Sequence, residues 1–207
     1  MFKTLRTIIV AFAVTASGTL PAMATEEPVF TLVKKDGSFE IRDYAPVIVA
    51  ETTLTGSAER ARNAGFQPLA DYIFAKGRKG STIAMTAPVT QAPREQIAMT
   101  APVTQSSTGD SWTISFTMPA SYTMETLPTP VNSNVRLVPQ AARRMAVVRF
   151  SGTASADSMD KMRIELINRV KALGLQTVGE PVFAFYDTPW TLPFFRRNEV
   201  MVELVQR

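Results

Sequence analysis

Apolar and polar positions along the chain fall into two similar runs. In the first, Phe30-Thr31-Leu32-Val33 and Phe39-Glu40-Ile41-Arg42 flank Lys35-Asp36-Gly37-Ser38, which predicts a hairpin turning at Asp36-Gly37. Val47 to Leu54 is a β-branched run that ends at Gly56. Phe66, Leu69, Tyr72 and Ile73 then fall on one helical face. Pro68 suits only the first turn of a helix, so the spacing predicts a helix from about Gly65 to a stop at Gly77. In the second run Ala146 to Phe150 reads as a strand ending at Gly152. Asp157 or Ser158 can cap a helix whose stripe is Met159, Met162, Leu166, Ile167, Val170 and Leu173, with Gly174 as its stop. Extended segments follow each helix, from Ile83 in the first run and over Val182–Tyr186 and Glu199–Val205 in the second. Strands, one helix and more strands, used twice, predict an α+β fold with two helices on a mostly antiparallel sheet or open barrel.

One repeat is literal. Ile83-Ala84-Met85-Thr86-Ala87-Pro88-Val89-Thr90-Gln91 recurs as Ile97-Ala98-Met99-Thr100-Ala101-Pro102-Val103-Thr104-Gln105. Proline inside each copy predicts an edge strand or a strand end. Two identical segments compete for one register, so a single copy is expected in the sheet.

The N-terminal 24 residues have the plan of a secretory leader. Lys3 and Arg6 precede an apolar or small stretch from Thr7 to Leu20, and Ala22-Met23-Ala24 supplies an A-x-A cleavage site. Residues 25–207 are then one exported, periplasmic domain, with pseudo-repeats at about 29–130 and 131–207. No later stretch is long and apolar enough for a stable membrane span. Losing Lys3 and Arg6 lowers the net charge from +4 to +2, with signs mixed along the chain, which does not point to nucleic acid.

Cysteine and histidine are both absent. Disulfides, Cys nucleophiles, Ser-His-Asp triads and Cys/His zinc sites are thereby excluded. G-x-S-x-G and glycine-rich phosphate loops are missing too, so neither a catalytic nor a metal site is assigned.

Several stretches carry a resemblance: Phe39-Glu40-Ile41-Arg42-Asp43-Tyr44, Gly65-Phe66-Gln67-Pro68-Leu69-Ala70-Asp71-Tyr72-Ile73-Phe74, the IAMTAPV segments, Trp112 to Pro119, Val147 to Gly152, and Arg197-Asn198-Glu199-Val200. In this order they resemble the SOUL haem-binding proteins, from about Val29 to Leu204. The resemblance implies a distorted antiparallel β-barrel of two similar halves, each with one long helix. It further implies a pocket for haem or another tetrapyrrole between the first helix and a late loop. The fold is similar to the small-molecule-binding domains of certain multidrug-responsive regulators.

Mapped onto this chain, the implied cleft sets Phe66–Ala75 against Asp187–Arg197. Its ligand-binding residues are Phe66, Leu69, Tyr72, Ile73, Lys76, Trp190, Phe194, Phe195 and Arg196. Aromatic walls suit a flat ligand; capping of the core is the competing role for the same rings. Arg60, Arg62, Lys76, Arg78, Arg196 and Arg197 are the cations available to porphyrin propionates. For Arg197 the competing duty is an ion pair with Glu199 on the same strand face. Some relatives ligate iron through histidine, and that mode is impossible here. Tyr72, Met85 and Met99 are the alternative ligands, each with core filling as the rival role. Haem, if bound, is non-covalent and held by its faces, and metal-free porphyrin is expected to bind as well. The alternatives are a receptor for other apolar or amphiphilic ligands and a protein-interaction scaffold without haem.

Overall fold

The computed structural model describes residues 26–74, 101–108, 110–188 and 190–206. The leader, Gly77, Lys76, Arg78, Met85, Met99 and the first IAMTAPVTQ copy lie outside the described residues.

Among the described residues, nine strands form one antiparallel sheet: β1 (Phe30–Asp36), β2 (Phe39–Tyr44), β3 (Val47–Thr55), β4 (Val103–Thr108), β5 (Ser111–Thr117), β6 (Arg136–Gln140), β7 (Arg143–Phe150), β8 (Thr177–Phe185) and β9 (Asn198–Leu204). Helix α1 (Ala58–Ile73) lies between β3 and β4, and α2 (Ala156–Ala172) between β7 and β8. No described helix is long and apolar enough to cross a membrane.

The sheet order is β1-β2-β7-β9-β8-β4-β5-β3-β6. Two βαββ units are visible in it, β3-α1-β4-β5 and β7-α2-β8-β9. In each, the last strand lies between the other two, and the units meet where β4 pairs β8. The leading strands are exchanged: β2, which runs into β3, pairs β7, whereas β6, which runs into β7, pairs β3. Each unit is completed by a strand from the other. The expected α+β class and antiparallel pairing are present, but the barrel is not. The sheet stays open because β1 and β6 are its ends and do not pair. Lys34 and Lys35 on β1 and Pro139 on β6 are the side chains that keep edge strands from pairing further.

Local chemistry explains most elements and corrects some boundaries. The β1–β2 turn is Gly37-Ser38, one residue later than expected, with Gly37 at φ +60°. Helix α1 starts at Ala58 rather than near Gly65, because Ser57 caps it and accepts from the Arg60 N–H at 3.4 Å. Pro68 therefore sits inside the helix. Its neighbours Ala64 and Gln67 are exposed, so the hydrogen bond it cannot donate is lost where water substitutes. Helix α2 is capped by Ser155, ahead of the expected Asp157 or Ser158. Glycine is required at position 65, since a Cβ there would lie 2.6 Å from Ile114 Cγ1 and 2.8 Å from Leu54 Cδ1. That close approach presses α1 onto β3 and β5.

Both helices cover one face of the sheet. Phe39, Ile41, Ala146, Val148, Val200 and Val202 pack under α2 through Met159, Leu166 and Val170. Ala50, Ile114, Phe116 and Met118 pack under α1 through Leu69, Tyr72 and Ile73. A third cluster, Met145, Val147, Ala184 and Met201, lies on the helix-free face. The second IAMTAPVTQ copy contributes Val103–Gln105 to β4, in mid-sheet, and its Pro102 stands just before the strand.

Candidate ligand-binding site

Alternation along β2 sends Phe39 and Ile41 under α2 and Glu40, Arg42 and Tyr44 to the opposite face. That face is not solvated at this point. Arg42 is 1% exposed and Glu199 of β9 is 0% exposed. Arg42 donates from Nη1 and Nη2 to the two Glu199 oxygens at 2.8 and 2.9 Å, and from Nε to Glu40 at 2.7 Å. Glu199 also accepts from the Tyr186 hydroxyl at 2.8 Å and from Arg197 Nε at 3.1 Å. Arg197 continues to Glu27 at 3.0 Å and lies over the Tyr186 ring. Burial alone would raise the Glu199 carboxyl, but the hydrogen bonds and charge of Arg42, then the charge of Arg197, hold it below the usual carboxylate range. The pair Arg197–Glu199 thus forms as the sequence suggested. Between Tyr44, Arg143 and Tyr186 the open space is about 30 Å3, room for a water and not for a flat ring system; a separate pocket of about 290 Å3 opens at Asp43, Tyr44, Arg143 and Arg144.

A different arrangement occupies the helix-covered face, at the end of β8. Arg62, one turn into α1, stands 4.8 Å from the Phe185 ring centroid. Its Nη1 is buried and makes no hydrogen bond, and desolvation pulls its pKa down against the opposing charge of Glu59. Gln105 Oε1 on β4 is likewise buried without a donor, while its Nε2 donates to Ala58 O. Four residues beyond Arg62 on the same helix flank, Phe66 packs edge-on against Phe116 at 5.3 Å and remains 41% exposed. The loop after β8 leaves at Phe185 and returns at Asn198, which pairs with Phe185, so its base adjoins the ring that Arg62 covers. This loop carries Trp190, Phe194 and Phe195, exposed to 83%, 64% and 71%. The last two rings touch each other at 4.4 Å within a short 3-10 turn at Pro193–Phe195. Pro193 O accepts from the Gly152 N–H at 2.8 Å, which ties the loop to the β7–α2 connection.

The residues expected at the cleft therefore divide. Phe66, Trp190, Phe194 and Phe195 present ring surface, and the core-capping role for the last three does not hold. Leu69 and Ile73 are fully enclosed by the β3–β5 core and present nothing to a cleft, because the stripe read as a ligand wall is the stripe that α1 buries. Tyr72 belongs with them: its hydroxyl donates to Pro128 O at 2.8 Å, so it is not poised as an iron ligand. Arg196 donates from Nε to Thr191 O at 2.7 Å and braces the loop rather than facing outward. Lys76 lies outside the described residues. In sequence Arg62 is one of six equivalent cations; its contact with Phe185 and its buried Nη1 without a hydrogen bond single it out.

A family model described as SOUL heme-binding protein matches residues 25–203. The chain belongs to the SOUL family. No curated protein matches it. Among solved structures, the C-terminal domain of EcmrR aligns over 82% of this SOUL protein and 98% of that domain, with a TM-score of 0.58 at 12% identity. An uncharacterized conserved protein from Listeria innocua aligns over 81% and 92%, with a TM-score of 0.54 at 13% identity. A Listeria innocua protein described as a hydrolase aligns over 84% and 94%, with a TM-score of 0.53 at 12% identity. At such identities the likeness is one of fold alone. The family is one of haem-binding proteins.

The donor set agrees with such a ligand in part. Exposed rings and an unsatisfied guanidinium suit a flat dicarboxylate. An axial iron ligand is not offered by His or Cys, and Tyr44, Tyr72 and Tyr186 all have their hydroxyls engaged.

Proposed function

We propose that this SOUL protein binds haem or a related tetrapyrrole at the edge formed by Phe66, Arg62 and the Trp190–Phe195 loop, and carries or sequesters it without transforming it. The observation that supports this most is the Arg62 guanidinium: one buried N–H group without an acceptor, beside ring surface that water now covers. A porphyrin laid on Trp190, Phe194 and Phe195 gains apolar contact, and a propionate supplies the acceptor that Arg62 lacks. Iron is not required for either contact, so haem and metal-free protoporphyrin bind alike. The leader over residues 1–24 delivers the domain across the inner membrane, which N-terminal sequencing of periplasmic protein would test.

Glu199 argues against an apolar cation on the helix-free face, since Arg42 and Arg197 already neutralise it. The test is a titration of purified protein with haem, protoporphyrin and protoporphyrin dimethyl ester, read by absorbance and by Trp quenching. Saturable binding of the first two and about tenfold weaker binding of the ester supports the reading. Replacing Arg62→Met should abolish the preference for the free acid. Equal binding of all three would favour a general receptor for apolar ligands, and no binding would leave a scaffold.

A further inference from the structure

The pocket at Asp43, Arg143 and Arg144 has no part in the tetrapyrrole edge. It measures about 290 Å3 and is lined by Asp43 and Tyr44 of β2, by Ala142, Arg143 and Arg144 around the start of β7, and by Gln206 after β9. Apart from Ala142 and the Tyr44 ring its walls are polar. Among the described residues Asp43 is the one carboxylate in the wall, and both its oxygens are taken. Arg144 donates from Nε to Oδ1 at 2.7 Å and from Nη2 to Oδ2 at 2.8 Å. These bonds hold the Asp43 carboxyl below the usual carboxylate range, so it stays ionised with its charge matched.

Arg143 has no such match. Among the described residues it donates no hydrogen bond and forms no ion pair. It is half-buried at the first position of β7, and desolvation pulls its pKa down against the charges of Glu203 and Tyr44. Glu203 faces Met145 across β7 and β9, two positions from Arg143, and acts on it through its charge alone. Unlike Arg62, Arg143 has no nitrogen closed to solvent, so its donors are within reach of a ligand. The backbone N–H groups of Ala142 and Gln206, both in the wall, also have no acceptor among the described residues. The pocket's acceptor is therefore saturated and its donors are not. A partly desolvated cation without a counter-charge is unfavourable until an anion reaches it. We propose that this pocket binds a small oxyanion, a carboxylate or phosphate group, held by the fork of Arg143 N–H groups with Ala142 and Gln206 beside it. The guanidinium plane matches two oxygens of either group. Arg62, Trp190, Phe194 and Phe195 line no part of this pocket, so the site is separate from the tetrapyrrole edge.

Titration of the purified protein with inorganic phosphate and with succinate, at constant ionic strength and read by amide NMR, tests the proposal. Saturable shifts should appear at Ala142, Arg143 and Gln206 with at least one of the two, and the tighter binder names the source of the group. Arg143→Gln should weaken that binding about tenfold, with the rest of the spectrum and haem binding unchanged. Arg143→Lys keeps the charge and loses the fork, and should recover only part of the affinity. Asp43→Asn should strengthen binding about threefold, because it frees Arg144 and removes the negative charge from the wall. Asp43 and Arg144 are a half-exposed pair, so this variant tests the site even if Arg143→Gln does not fold. Arg62→Met should alter porphyrin selectivity and leave anion binding untouched, so either site can fail without the other. Shifts that never saturate with either anion, full binding by Arg143→Gln, weaker binding by Asp43→Asn, or haem affinity that falls with Arg143→Gln would each overturn the proposal.

Discussion

Arg42 and Arg62 are both arginines taken out of water, and their surroundings differ in one respect. Arg42 sits on the helix-free face with every side of its guanidinium engaged by Glu40, Glu199 and Tyr44. Arg62 sits beside Phe185 with a buried nitrogen that makes no hydrogen bond. Beside the first, the space between Tyr44, Arg143 and Tyr186 is about the size of a water. On the loop that leaves from Phe185, the ring Arg62 covers, three large rings stand in solvent. A saturated buried charge is part of the architecture, because any ligand would have to displace a bond already made. An unsaturated one is an available contact.

The comparison is most easily broken at Glu199. Replacing Glu199→Gln leaves Arg42 and Arg197 facing a neutral amide, and a loss of about 3–5 kcal/mol in urea unfolding is expected, with haem binding by the remaining folded protein unchanged. A loss below about 1 kcal/mol would mean that the cluster is not structural. The same group sets an acid limit. Its folded pKa is depressed, so its contribution is fully present above the unfolded carboxyl value of about 4.3 and is lost as pH falls through the folded value. Melting temperature should therefore fall below about pH 4.3 in the native protein, and the Glu199→Gln variant should show a flatter profile there.

A smaller change follows at the helix–sheet contact that positions Arg62. Gly65→Ala forces a Cβ into Ile114 and Leu54, and should cost about 1–3 kcal/mol in thermal or urea unfolding. Because α1 must lift, the free-acid preference in porphyrin binding should weaken as well. The smallest effect on stability belongs to Trp190→Ala. This exposed ring should change stability by no more than about 0.5 kcal/mol while weakening haem binding about tenfold. Unaltered haem affinity in that variant would remove the loop from the site.

Much of the fold is legible because its signals are local. The hairpin turn at Gly37, the strand ending at Gly56, the α2 stripe and its Gly174 stop all depend on a few consecutive residues. The early start of α1 is hidden in the sequence because Pro68 suits a first turn, whereas Ser57 supplies the cap and the exposed positions around Pro68 make its cost tolerable. The site was legible only in outline. Phe66 and the Trp190–Phe195 loop stand out as rings in a stretch rich in proline, but Leu69, Tyr72 and Ile73 carry the same periodic signal whether they face a ligand or a core. Nothing in Phe39-Glu40-Ile41-Arg42 announces that its polar half is buried, since alternation normally means one wet face.

The sequence by itself determined that two helices alternate with strands in a repeated order, that histidine and cysteine chemistry is closed to this protein, and that a SOUL-type chain runs through residues 25–203. The first two follow from composition and from periodicities of two and 3.6 residues, which need no knowledge of what lies opposite; the third follows from particular stretches such as IAMTAPV and Arg197-Asn198-Glu199-Val200. Only the tertiary structure decided that β2 and β6 change places between the two units and that the sheet stays open. It also decided that Glu199 is matched by Arg42 from 157 positions away, and that Arg62 Nη1 and Gln105 Oε1 are left without hydrogen bonds. Whether a polar group is satisfied depends on atoms brought together from distant parts of the chain, and that information does not exist until the sheet is assembled.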